Sequence, residues 1–252
     1  MRWRLSVAVF LLFAAVVIAR WPATTVVSRL PATLGCSDVR GTIWRGVCGS
    51  LVFQGQRLGE LHWRLRVWPL LTGRVATHLK LRGAGIDVDG NVLRERSGAL
   101  QLTTLNTQAD LAVLAPVLRA AGARVPEGFG GALRGRIDEL RLSPTAAINF
   151  VKAAMDINGL RQLAAPGALG SWTVTFDGVQ NATGEPVGSV VDRGGPFDFQ
   201  GTIRLTNAPG YVVEGALAAR PGVPPEVLNA LRFLGGATDA NGRRPFALEG
   251  GF

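Results

Sequence analysis

Residues 61–67 read LHWRLRV, apolar at every odd position and polar at every even one. A period of two sends alternate side chains to opposite faces of an extended backbone, so the segment reads as a half-buried strand. Residues 74–82 repeat the pattern, with Val75, Thr77, Leu79 and Leu81 on one face. So do residues 171–179, where Trp172, Val174 and Phe176 alternate with Thr173, Thr175 and Asp177. The chain carries 33 Gly and 14 Pro in 252 residues. Its Gly share lies well above the usual value of about 7%. Gly and Pro punctuate turns, so many short strands are expected and few long helices. A hydrophobic fraction of 47% argues against disorder.

Further strands are expected at residues 132–142, around Phe197, Phe199, Ile203 and Leu205, around Tyr211, Val213 and Leu217, and over the tail at 243–252. Residues 69–73 read as the turn between the first two strands. A hairpin is expected over 85–94 with its turn at Asp89-Gly90-Asn91, because Asp-Gly suits a type I′ turn. Residues 107–122 read as a helix, with Leu111, Leu114 and Leu118 at helical spacing although Pro116 falls inside. Residues 225–234 read as another, Pro225 near its first turn and Gly235 as its stop. Residues 145–165 favour neither period. About 230 residues follow the N-terminal segment, enough for one sizeable β domain or two small lobes, about 36–106 and 128–252. Gly41-Thr-Ile recurs as Gly201-Thr-Ile, an echo that fits two related lobes.

Arg2 and Arg4 precede an apolar run, residues 5–19, broken only by Ser6. That core suits a signal-peptide h-region, with Val17-x-Ala19 as a cleavage site, and is short for a span. Trp3 and Trp21 bracket it about 27 Å apart on a helix, as interfacial aromatics do. Arg20 and Pro22 fit poorly just after a cleavage site, so the reading favours an uncleaved anchor over residues 5–21. The positive N-terminal side stays cytoplasmic, giving residues 1–4 in the cytoplasm, 22–35 as a linker and 36–252 as a periplasmic β-rich domain. Cys36 and Cys48 are the only cysteines. In an oxidising compartment such a pair is expected as a disulfide, and its spacing suits neither a CxxC redox pair nor a zinc ribbon.

The formal charge is +9, carried almost wholly by Arg, since Lys80 and Lys152 are the only lysines. A solvated basic strand face explains this; anionic lipid headgroups or nucleic acid would also suit it. Arg and Trp interleave over residues 40–74, as in single-strand binders, but Trp44, Trp63 and Trp68 are read as packing residues and no nucleic-acid partner is assigned. His62 and His78 are the only histidines and, with Glu60, would form a two-His, one-carboxylate set if the hairpin centred near Leu70. Asp87, Asp89 and Asn91 have the first spacings of a Ca²⁺ loop, but Gly90 and Gly98 are wrong for the rest. Polar strand and turn residues explain both sets. There is no nucleophile elbow, Walker A loop or dinucleotide fingerprint. No catalytic residue, metal or cofactor is therefore assigned.

GTIWRG over 41–46 is followed by LGELHWRL over 58–65, by GPF at 195–197 with GTIRL at 201–205, and by LGGATDANGR over 234–243. In this order behind an apolar N-terminus they resemble the type II secretion system protein N family. The family's GTxWxG element corresponds to Gly41, Thr42, Trp44 and Gly46, and its LGxLxWxL element to Gly59 and Trp63. The Gly-rich run that closes its last helix ends here on Gly242 and Arg243. The resemblance implies an accessory inner-membrane component of type II secretion that binds and scaffolds, with other secretion subunits and inner-membrane lipids as partners. The chain is expected to be a mostly β protein: an N-terminal transmembrane helix, then a curved, open antiparallel sheet or half-barrel with one or two short helices. Anchored β proteins of the AsmA-like type share the pattern. In that alternative an open apolar trough would take an acyl-chain ligand.

Overall fold

A chain that alternates this regularly forms strands, and Gly-rich connections let successive strands turn back on one another. The computed structural model describes every residue except 1, 28–30, 124, 126, 164–167, 208–209, 224–238, 241 and 252. It opens with α1 (Arg2–Ala19) and α2 (Thr24–Val27). The sheet then begins with β1 (Leu34–Gly41), β2 (Arg45–Phe53) and β3 (Gln56–Arg66), and after α3 (Val67–Leu71) continues with β4 (Val75–Gly83), β5 (Ile86–Arg94) and β6 (Leu100–Asp110). Beyond α4 (Leu111–Ala120) come β7 (Phe129–Leu142), β8 (Ile148–Gln162), β9 (Ala168–Asp177), β10 (Val187–Asp192), β11 (Phe197–Thr206), β12 (Gly210–Ala219) and β13 (Arg244–Gly251).

The 13 strands among the described residues form one open antiparallel sheet whose spatial order is the sequence order. β1 and β13 are its edges. Residues paired across neighbouring strands share a face. Val47, His62, Lys80, Asp89, Asn106 and Arg136 follow one another across β2 to β7 on the polar side. Leu61, Leu81 and Val88 do the same on the apolar side.

Among the described residues little helix covers the sheet, and the core is built by large side chains reaching sideways. Val151, Ala153, Phe176 and Leu205 form one buried cluster, spanning β8 to β11. The Phe176 ring lies across Gly188 of β10, where any side chain would collide with it. Val190, Phe199 and Leu217 form a second cluster with Trp172 and Phe246 packed against it. There Phe199 meets Trp172 and Phe246 edge-on at 5.5 and 5.7 Å between ring centroids. It also covers Gly201 and Gly215. Aromatic rings laid over strand glycines are a known way to shield backbone in a sheet.

The alternating segments fall in β3, β4 and β9 as expected, residues 132–142 lie in β7, and the expected last strand is β13, over Arg244–Gly251. Several elements differ. Asp89-Gly90-Asn91 is no turn: β5 runs straight through it. The β5–β6 register shifts there, because β6 carries an extra residue whose Thr104 adopts φ +50°. Gly90 faces this bulge, and a side chain on it would press on Leu105. The helix expected over 107–122 begins only at Leu111, because residues up to Asp110 remain paired to β7. Asp110 caps it, its Oδ1 accepting from the Ala112 N–H at 2.9 Å. The turn expected over 69–73 is partly helix, α3, which takes Val67 out of the strand. Residues 145–165 are mostly strand β8. The helix expected over 225–234 lies outside the described residues. Gly41-Thr-Ile runs from the last residue of β1 into a hairpin loop, whereas Gly201-Thr-Ile lies inside β11, so the echo has no common structure.

The apolar N-terminus is helical, but among the described residues no helix is long and apolar enough to cross a membrane. α1 has 18 residues, about 27 Å against a hydrocarbon core of about 30 Å. It falls just short of the expected span.

Candidate functional site at the helix–sheet joint

The GTIWRG run closes the first hairpin. β1 and β2 pair up to Gly41 opposite Gly46, leaving residues 42–44 as the loop. The Thr42 N–H donates to the Arg45 carbonyl at 2.8 Å. In return the Arg45 N–H donates to Thr42 Oγ1 at 3.3 Å. Gly41 has φ +96°, and a Cβ there would strike the Arg45 carbonyl. Gly46 is buried beneath the Trp63 ring of β3, which occupies the space a side chain would need.

This loop is fastened on both sides. The Trp44 indole N–H donates to the Ile18 carbonyl in the last turn of α1 at 2.8 Å. The Ile43 N–H donates to the Trp21 carbonyl at 3.0 Å and the Ala23 N–H to the Gly41 carbonyl at 3.2 Å. Toward the sheet, the Leu65 N–H donates to the Trp44 carbonyl at 2.8 Å, and Trp63 Nε1–H to the Ile43 carbonyl at 3.2 Å. Gly41, Thr42, Trp44, Gly46 and Trp63 thus converge on one joint between α1 and the sheet.

The Cys36–Cys48 disulfide crosses the same hairpin, its Cα atoms 5.8 Å apart. Cys36 pairs with Leu51 and Cys48 with Val39, so the bond runs diagonally between the strands. The other motif residues lie elsewhere. Gly59 is farther along β3, opposite Leu51, and a Cβ there would strike the Arg82 carbonyl of β4. Gly242 and Arg243 stand at the far edge. The Gly242 N–H donates to the Asp239 carbonyl at 3.0 Å, and Arg243 pairs with Asp198 of β11 at 2.8 Å.

Trp68, taken as a packing residue, is 81% exposed, because α3 breaks the alternation just before it. His62 and His78 are not opposite each other: the register places His62 against Lys80 and Arg64 against His78, since α3 lengthens the connection. His62 meets Glu60 at 3.0 Å and His78 meets Asp89 at 3.3 Å. Asp87, Asp89 and Asn91 lie along β5 instead of around a loop. Among the described residues no three His, Cys, Asp or Glu are placed to hold a metal.

One polar centre has no motif to announce it. Glu185, before β10, accepts from Arg204 Nη1 at 2.8 Å, Asn181 Nδ2 at 3.0 Å, Thr183 Oγ1 at 3.2 Å and the Asn207 N–H at 3.2 Å. Arg204 first, then Asn181 and the Asn207 N–H, lower its pKa to about 2. Its position after a Gly-containing loop was the only sequence hint.

The class so defined is a helix-led protein with a single meandering β-sheet. The family model described as Type II secretion system (T2SS), protein N, matches residues 32–247, and the chain belongs to that family. It is therefore a member of a secretion accessory family and not of a known enzyme family. A curated relative, Type II secretion system protein N of Vibrio cholerae serotype O1, is 32% identical over 87 residues. That match covers 32% of this chain and 34% of the relative, about a third of its length. No solved structure matches. These findings point to secretion and lend nothing to the AsmA-like alternative.

Proposed function

We propose that this chain is an inner-membrane accessory component of the type II secretion machinery that works by binding and scaffolding. The observation that carries the proposal is the family match over residues 32–247, joined to a sheet that, among the described residues, ends in the edge strands β1 and β13. Edge strands present unpaired backbone groups and accept strands from partners, so β1 and β13 are the surfaces offered to other secretion subunits. The cluster that bridges β8 to β11 favours a sheet curved toward a half-barrel.

α1 is the membrane segment in this proposal, with residues 1–4 cytoplasmic and 36–252 periplasmic. Val9, Phe10, Leu12 and Phe13 on it are 60 to 69% exposed, apolar side chains left uncovered among the described residues. A helix a few ångströms short of the bilayer is accommodated by local thinning and by snorkelling of its flanking arginines. Cleavage after Ala19 would remove the Ile18 carbonyl that receives the Trp44 indole, which favours retention of the anchor. Deletion of the gene should trap exoproteins in the periplasm, with release restored by complementation. Normal secretion with a detergent-sensitive envelope would overturn the proposal.

A further inference from the structure

The sheet end that carries the joint has a second property. β2 begins and β3 ends there, so α3 and the β5–β6 connection lie at the same end as the C-terminus of α1. On α3, Trp68 is 81%, Leu71 74% and Val67 54% exposed. At the same end of the sheet stand Arg45, Arg64, Arg66, Arg74, Arg94 and Arg96, all exposed. Arg45 and Arg64 are directly paired across β2 and β3, and His78 follows Arg64 on β4. Like charges directly opposite one another destabilise a sheet. None of the six arginines makes an ion pair among the described residues; Arg66 reaches only the Asn91 amide, at 3.4 Å. Glu95 is the one carboxylate in these connections.

We infer that this end of the sheet docks on the surface of an anionic phospholipid bilayer, Trp68 and Leu71 entering the interface and the arginines meeting lipid phosphates. The inference rests on the reading of α1 as the membrane segment. The bonds from Trp44 to Ile18 in the last turn of α1 and from Ile43 to Trp21 just beyond it fix which end of the sheet faces the bilayer. Trp favours the headgroup level, and basic groups within a Debye length of an anionic leaflet are drawn to it. An acidic protein segment would satisfy the arginines but would leave the apolar face of α3 unexplained.

The test uses the full chain reconstituted in vesicles of phosphatidylcholine, with and without phosphatidylglycerol, carrying brominated acyl chains. Subtracting the emission of a Trp68→Phe variant isolates Trp68. The expected result is a blue-shifted Trp68 signal, quenched more strongly when phosphatidylglycerol is present. Arg45→Gln with Arg64→Gln, or high salt, should remove most of that excess. A chain that floats with vesicles while Trp68 emits as in water overturns the inference, leaves the anchor standing and assigns the arginines to an acidic protein segment. A chain that does not float overturns both.

Discussion

At the scale of single residues, stability is set by groups whose surroundings admit one occupant. Gly46 lies under the Trp63 ring, and Trp63 in turn bonds the Ile43 carbonyl. Gly46→Ala should destabilise the chain by about 1–3 kcal/mol, the usual cost of overpacking. Adding Trp63→Leu should return part of that loss in urea melts, and additive losses would mean the two residues do not compete for the same space. Glu185 supports a pH prediction. Its carboxyl is lowered from 4.5 to about 2, chiefly by Arg204. A depressed carboxyl adds stability above its unfolded pKa and loses it as pH falls through the folded one. Glu185→Gln should therefore melt lower than wild type at neutral pH, and the gap should close between about pH 4.5 and 2. A gap that stays constant with pH would remove the carboxylate from the explanation. Asp192 behaves similarly: burial opposes its ionisation, but the Phe199 N–H, Arg220 and the Gly194 N–H outweigh it and hold its pKa low.

At the scale of elements, legibility followed locality. β3, β4 and β9 were readable because each keeps its apolar face in its own sequence. β5 was not, since nothing local distinguishes a glycine that turns the chain from one that makes room, and Gly90 faces the β6 bulge at Leu105. The same ambiguity conceals Gly188, Gly201 and Gly215, which lie inside strands under Phe176 and Phe199. α4 was visible through its leucine spacing, but its start depended on how far β6 pairs with β7. Of the site, the GTIWRG residues were legible as a motif, whereas their bonds to Ile18 and Trp21 are tertiary. The first hairpin carries the element-scale prediction. The Cys36–Cys48 bond closes a separation of 12 residues, a constraint of about 3 kcal/mol in the chain-entropy model. At about 2–4 °C per kcal/mol, reduction should lower the melting of the first strands by roughly 6–12 °C. Melting that ignores reductant would show that the hairpin is held by its ladder alone.

At the scale of the whole molecule, the meander has a consequence for cooperativity. Each strand pairs only with its neighbours in sequence, as repeats do in a solenoid, so stability need not be shared along the sheet. Both buried clusters lie beyond β6, drawing on β7 to β13. Among the described residues the first six strands bury far less, chiefly Cys48, Leu51, Ile86 and Ala109. Leu61, Trp63, Leu79 and Leu81 on their apolar side are only partly buried. Amide exchange of the full chain in detergent should therefore be slowest around Val151, Phe176, Phe199 and Leu217, and faster around Leu61 and Leu79. Uniform protection from β2 to β12 would mean a single cooperative unit and would refute the gradient. The gradient also bears on the proposed role. The less protected strands are those joined to α1 and carrying the exposed Trp68, so docking of that end would stabilise the half of the sheet that stabilises itself least. The well-packed half would hold β13 in place as a ready edge for a partner strand.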